Sequence, residues 1–411
     1  MKSDRVRFAV VGARRGKTFV QSALSLSDRM QLVAMCDCSE AALVPWRSQP
    51  TVKCYTDFQE VLDDPGVDAV CIATPAPLHA RQSIAALQAG KHVLSEVIAT
   101  YSLEEGRELI RAVEESGKTY MMAENYCFMR DVLMIQNMVE LGIFGEITYA
   151  SGSYIHDCRS LFFDKDGDLT WRGRLRRDWV GNSYPTHGLG PVCRWLGINQ
   201  TDVLKTTAAW QSRGGAMSRY VNRNLPNRAE YADAAGWAHP DTVTSLIHTR
   251  NGVLIESRND WASARPHHMT RYELQGTRAA FSASADPALE PLVWIEGRSP
   301  QKKNGTAESW EPLFKYAPEF EHPLWREHAG EAETAGHGGG DFFVLREFLS
   351  AIEEGRKPLF DVYDAVTWSS IAPLSVLSIA RGNVPVEVPD FRGETQLRSN
   401  LKGFTAIPQR G

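Results

Sequence analysis

With 411 residues, 43% of them hydrophobic, the chain exceeds ordinary single-domain size and carries enough apolar material for two packed cores. A net charge of −5, from 45 Lys and Arg against 50 Asp and Glu, excludes a general polyanion-binding surface, and no run of like charge suggests a nucleic-acid tail. The seven cysteines (Cys36, Cys38, Cys54, Cys71, Cys127, Cys158 and Cys193) are odd in number and scattered, and no zinc-like second pair follows Cys36 and Cys38, so reduced thiols and no metal are expected.

The first predicted strand, residues 6–11, begins too close to Met1 for a signal peptide, and no segment approaches the roughly 18 apolar residues of a membrane span. A cytoplasmic protein with a small-molecule substrate and neither nucleic-acid nor membrane partners is expected. Further strands are predicted at 31–37, 68–73, 92–95 and 120–123, with helical periodicity at 78–89 and 103–116. This α/β alternation gives a doubly wound parallel sheet of Rossmann type over residues 1–125. A helix at 130–141 and the Gly145-Glu146 turn lead into a strand at 147–154. More strands are expected at 203–211, 243–248, 253–258, 270–275 and 279–284, with helices returning only at 342–354 and 363–381 and long loops over 299–337. Residues 126–411 therefore read as an α+β substrate domain with a large, mostly antiparallel sheet.

Strand one runs into Gly12-Ala13-Arg14-Arg15-Gly16-Lys17 and then a helix, where a dinucleotide pyrophosphate meets helix N-terminal amides. A strict G-x-G-x-x-G would need glycine at 14 and 17. Asp37 closes the second strand 25 positions after Gly12, where a carboxylate bonds the adenosine ribose and repels a 2′-phosphate, so the expected cofactor is NAD. The plainer readings are a strand-end turn for Asp37 and a solvated loop for Arg14 and Arg15. Thr74-Pro75-Ala76-Pro77-Leu78-His79 forms a second proline-fixed loop on the same carboxyl edge.

That segment and Gly90-Lys91-His92-Val93-Leu94-Ser95-Glu96 resemble the Gfo/Idh/MocA oxidoreductases, which carry T-P-x-x-x-H beside the nicotinamide ribose and G-K-H-V followed by E-K-P. The resemblance implies cofactor contacts for Thr74, Pro75, His79 and Glu96, and association of copies through an open sheet face. The chain departs from the dehydrogenase pattern at two places. Val97-Ile98 replaces the lysine and proline, and Ser183-Tyr184-Pro185-Thr186-His187 keeps the histidine of D-x-G-x-H without its aspartate.

The replacements, with Glu124-Asn125-Tyr126, Tyr154-Ile155-His156-Asp157, the run from Asn182 to Val192 and His337-Gly338-Gly339-Gly340-Asp341-Phe342, resemble the NAD-dependent glycosidases of glycoside hydrolase family 109. This resemblance implies a glycosidase, an α-N-acetylgalactosaminidase or one of broader specificity. It would act by transient C3 oxidation, C1–C2 elimination, water addition and re-reduction. The alternatives are a sugar dehydrogenase or C3 oxidoreductase releasing a keto-sugar, and a catalytically silent NAD-binding sensor or partner subunit.

Such chemistry needs proton shuttles near neutral pH. His187 is assigned proton transfer and Tyr184 a share in it. Tyr154 and His156, two apart on a predicted strand, are candidates for base or leaving-group acid, and Glu124 for orienting a hydroxyl. Each is also readable as a satisfied core residue or loop brace. The His337 loop is expected to be an active-site flap, with Asp341 equally readable as a helix N-cap. Arg172, Arg174, Arg176 and Arg177 read as an anion clamp or, more plainly, a solvated loop. The run from Asp164 to Asp168 lacks calcium-loop spacing, since Leu175 stands where the ligating glutamate would fall.

Overall fold

The computed structural model describes residues 5–266, 268–286 and 288–393. Among these, β1 (Val6–Val11), β2 (Met30–Cys36), β3 (Lys53–Tyr55), β4 (Ala69–Ile72), β5 (His92–Ser95) and β6 (Tyr120–Met122) form a parallel sheet in the order β3-β2-β1-β4-β5-β6. Helices cover both faces, so central strands are apolar throughout: every residue of β4 is buried. β3 was not expected from the sequence, because three residues at the sheet edge, led by an exposed lysine, carry no periodic signal. The strand order reverses between β1 and β4, which opens a crevice at their carboxyl ends.

The second sheet contains β7 (Ile147–Ile155), β8 (Leu204–Gln211), β9 (Val243–Thr249), β10 (Leu254–Asp260), β11 (His268–Gly276), β12 (Ala279–Ser282), β13 (Leu292–Ile295), β14 (Glu311–Pro312) and β15 (Val386–Glu387). Their order is β14-β13-β12-β11-β7-β10-β9-β8-β15, with β7 and β10 parallel and the other pairs antiparallel. Burial alternates along β9, with Val243, Ser245, Ile247 and Thr249 inside and Leu246 and His248 exposed, as one covered face requires.

Helices are more numerous in this half than expected. Trp171–Asp178, Thr186–Trp195, Ala216–Asn224 and Pro323–Ala332 are helical, and 299–337 holds β14 and the last of these rather than long loops alone. The first is masked by its four arginines, the second by Gly188, Gly190 and Pro191. Contrary to the expectation that no segment would have the character of a membrane span, Val362–Ala380 reaches that length and mean hydropathy, but 78% of the apolar stretch is buried inside the protein. It packs against Leu103–Ser116 of the first half and β8 of the second, while Gly340–Glu354 packs against Ala13–Ala23. One apolar core thus runs through both sheets.

Candidate active site

At the first crevice the turn after β1 is shorter than the sequence suggested. Residues 12–17 are not a loop: the helix starts at Ala13, so Arg14, Arg15, Gly16 and Lys17 lie in its first turns and Gly12 alone makes the turn. With no glycine at position 14 to interrupt it, the helix begins directly. Gly12 has φ 99°, and a Cβ there would stand 2.4 Å from the carbonyl oxygen of Ala73, at the end of β4. Only glycine lets the two strand ends meet this closely. A Cβ on Gly16 would lie 2.1 Å from Val10 Cγ1, so the helix also lies tight on β1.

Asp37 stands one residue past β2. Its carboxylate accepts from the backbone N–H of Ala13 at 2.9 Å and of Ser39 at 2.9 Å. The glycine-made cradle, the helix N-terminal amides and the carboxylate at the end of β2 fit a dinucleotide: the amides suit a pyrophosphate and Asp37 a ribose diol. Arg14 is exposed, and Thr74 Oγ1 donates to Gln82 Oε1 at 2.5 Å beside Pro75. His79 departs from its expected role. It is 1% exposed, with Nδ1 3.0 Å from Ile98 O and Nε2 2.9 Å from Thr74 O, so it ties two loops together and presents no nitrogen to a cofactor.

Arg15 reaches across the crevice, donating from Nε to Glu96 Oε1 at 2.6 Å, with Nη2 4.0 Å from Asp341 Oδ1. Burial disfavours its charge, but Glu96 and Asp341 outweigh this and raise its pKa. Asp341 is fully buried inside the first helical turn and not at the N-cap, which is Gly339. It accepts from Asn125 Nδ2 at 2.7 Å and pairs with His337 Nδ1 at 2.9 Å. Burial would push its carboxyl up, yet His337, Arg15 and Asn125 hold it below the usual range. The expected flap is instead a packed joint: a Cβ on Gly340 would lie 2.5 Å from Asn125 O, and one on Gly339 2.8 Å from the Trp325 ring.

The second group of side chains converges on His187, in the first turn of Thr186–Trp195. This helix lies against β7 backbone to backbone. A Cβ on Gly152 would fall 1.9 Å from Gly188 O, and one on Gly188 2.6 Å from Gly152 O. A Cβ on Gly190 would lie 2.8 Å from Glu124 Cγ. Pro191 explains a further contact. It has no N–H for the His187 carbonyl four residues back, and that carbonyl accepts from Tyr272 Oη at 2.5 Å.

His187 Nδ1 lies 2.6 Å from Oε1 of Glu124, which is wholly buried at the start of the turn after β6. A carboxylate there fixes the proton on Nδ1 and leaves Nε2 as the basic nitrogen. Glu124 Oε2 has no hydrogen-bond partner among the described residues, so a further donor would complete this carboxylate.

Around His187 stand Tyr126 at 4.2 Å between ring centroids, Tyr154 at 4.8 Å and Tyr184 at 5.2 Å, with His156 6.0 Å from Tyr154. All five expected catalytic residues are therefore brought together, although His156 lies one residue beyond β7 rather than on it. Burial first, and then anionic neighbours such as Glu124, push the phenols of Tyr126, Tyr154 and Tyr184 well above the ordinary tyrosine range; Arg172 partly offsets this for Tyr154 and Tyr184. They are neutral O–H groups near neutral pH. Trp261, one residue after β10, closes the ring cluster 4.7 Å from Tyr184 and 5.9 Å from Tyr154.

Sequence reasoning did not single out Trp261, Tyr272 or Tyr126 as site residues, although Tyr126 stands in a motif it used. The arginine cluster divides: Arg174 and Arg177 are exposed, whereas Arg176 is 1% exposed.

Fold and site together define a two-part, NAD-binding sugar enzyme: residues 6–124 match the oxidoreductase-family model with the NAD-binding Rossmann fold. Residues 128–396 match the model of the glycosyl hydrolase 109 C-terminal domain. The chain belongs to glycosyl hydrolase family 109, on a Gfo/Idh/MocA framework. A family 109 protein of Solibacter usitatus (strain Ellin6076) is 32% identical, covering 96% of this chain and 90% of its own. An alpha-N-acetylgalactosaminidase of Tannerella forsythia is 31% identical, covering 96% and 88%. Levoglucosan dehydrogenase, solved in complex with NADH, shares the fold at a TM-score of 0.73 and 19% identity, over 94% of this chain and 100% of that one.

Proposed function

We propose that the protein is an NAD-dependent glycosidase that cleaves by elimination and hydration, with no net redox change. The observation that carries this reading is the buried His187–Glu124 pair, 2.6 Å apart and ringed by three neutral tyrosines. Residues 12–16, Asp37, Thr74 and Pro75 are the groups that would hold the dinucleotide, with Glu96 and Arg15 across the crevice. When bound, the cofactor supplies reversible hydride acceptance, so that a hydroxyl and a ketone interconvert at C3.

Beside a C3 ketone the C2 proton is acidic. His187 Nε2 removes it, and buried Glu124 stabilises the resulting imidazolium. As the C1–O bond breaks, Tyr154, Tyr184 or His156 gives a proton to the departing oxygen; the raised tyrosine pKa values keep these phenols protonated, so they are not phenolate bases. Water then adds its oxygen to C1 and its remaining proton restores the acid that protonated the leaving oxygen; the protonated His187, having exchanged with solvent, gives a proton to C2, and the C3 ketone returns to the hydroxyl, so atoms balance as hydrolysis. A net dehydrogenase is the second reading, favoured by the shared fold with dehydrogenases. Against it stands Val97, 3% exposed, where the resemblance to those enzymes places a lysine.

Aryl glycosides supplied in deuterated water without added cofactor test the proposal. Released sugar should carry deuterium at C2, thioglycosides should also be cleaved, and NADH should not accumulate. Product without C2 deuterium excludes this mechanism, and stoichiometric NADH with a keto-sugar establishes the second reading.

A further inference from the structure

Arg176 lies in the helix Trp171–Asp178 beside the ring cluster and is 1% exposed. No carboxylate pairs with it among the described residues. Nη1 meets His239 Nε2 at 2.6 Å, where His239 is an acceptor because its Nδ1 lies 2.6 Å from Pro240 O and donates there. Cζ stands 3.7 Å over the ring of Trp261, which also packs on Tyr184. Nε and Nη2 have no hydrogen-bond partner among the described residues. These two atoms form the side-on fork, whose parallel N–H bonds match the two oxygens of a carboxylate.

The same fork is filled elsewhere in the molecule. Arg7 grips Asp68 through Nε at 2.9 Å and Nη2 at 2.6 Å, and Arg159 grips Asp157 through Nε at 2.8 Å and Nη2 at 2.7 Å. Both of those arginines are more exposed than Arg176, where an unmatched fork costs far more. Burial lowers the Arg176 pKa to about 10, which still leaves a cation at neutral pH. The indole N–H of Trp261 is likewise buried without a partner among the described residues. This corner of the site therefore offers unfilled hydrogen-bond donors and a positive charge.

We infer that the Nε/Nη2 fork of Arg176 receives a carboxylate carried by the substrate's sugar, so that the preferred glycone is an acidic sugar. This rests on reading the His187 cluster as the sugar site. It differs from a neutral N-acetyl group, whose carbonyl oxygen carries no charge to match the cation.

The test is calorimetric binding to the protein as purified, comparing galacturonate and glucuronate with galactose, glucose, N-acetylgalactosamine and galactose 6-sulfate. The uronates should bind about ten- to a hundredfold more tightly than their neutral parents, the scale of charge-assisted hydrogen bonds in a dry site. In Arg176→Met that ratio should fall to near one, with a melting temperature no lower than wild type because an unpaired buried cation is gone. Equal binding of uronates and neutral sugars by the wild type overturns the inference without any variant. So does tighter binding of the sulfate than of galacturonate, or a preference that survives in Arg176→Met. Binding is read without turnover, so a protein that prefers uronates yet fails the deuterium test loses only the mechanism. One that incorporates deuterium and shows no such preference loses only this assignment.

Discussion

The two halves of the site are built from different materials. The turn of the cofactor crevice is made chiefly of backbone, a left-handed Gly12 and the strand ends of β1 and β4, with Asp37 capping the helix through the Ala13 amide and Arg15 and Glu96 facing across. The half around His187, proposed to hold the sugar, is made of side chains, a buried carboxylate–imidazole pair within a shell of rings. Binding a constant ligand is a matter of shape, which backbone holds well. Moving protons needs groups that titrate, and those must be carried on side chains whose surroundings set their charge.

If this division is right, His187→Ala produces the largest effect: turnover falls by roughly 10² to 10⁴, the scale of a lost acid–base group, while cofactor content is unchanged. Loss of cofactor together with activity would break the separation. The complementary change, Gly12→Ala, should empty the crevice. Its Cβ would collide with Ala73 O in a backbone conformation costing about 1–3 kcal/mol, so the protein should purify with much less bound dinucleotide. Full occupancy in this variant would refute the backbone account.

A smaller effect sharpens the role of the side chain on the cofactor side. NAD rather than NADP should be released from denatured wild-type protein, and Asp37→Ser should raise the NADP share; mass spectrometry recovering NADP alone from the wild type contradicts the placing of Asp37 at a ribose diol. The smallest effect concerns the joint between the halves. Asp341 has a depressed folded-state pKa, so its stabilisation is fully present above the ordinary aspartate value of 3.8 and is lost as pH falls through the folded value. Asp341→Asn should therefore melt about 1–2 °C lower at neutral pH, with the gap closing in acid. A gap that persists at low pH would assign the loss to packing rather than charge.

The first half was largely legible in the sequence because its strands are buried on both faces and read as unbroken apolar runs. β1 and β5 fall at the expected residues, and β2, β4 and β6 fall within a residue of theirs. Its loop was misread, since a single-glycine turn followed at once by helix looks like an imperfect glycine-rich loop. In the second half the residue types of the site were visible in motifs, and His187, Tyr184, Tyr154, His156 and Glu124 do meet. What was hidden is long-range: Trp261 joins the cluster because β10 runs parallel beside β7, and Tyr272 reaches the His187 carbonyl because β11 pairs with β7 opposite Gly152. Arg176 differs from Arg174 and Arg177 by the face of a short helix, which four arginines in six residues obscure.

The seam where Gly152 meets Gly188 bears on how such an enzyme can diversify. Helix and strand touch there through main chain, so a larger residue at Gly152 or Gly188 would clash with the facing backbone and disturb the spacing of His187 and Tyr154. The opposite wall, through Trp261 and Arg176, is side chain on side chain and can be altered one substitution at a time. On the proposed function, a change of preferred sugar would come through that wall, while the seam would hold the reacting groups in place.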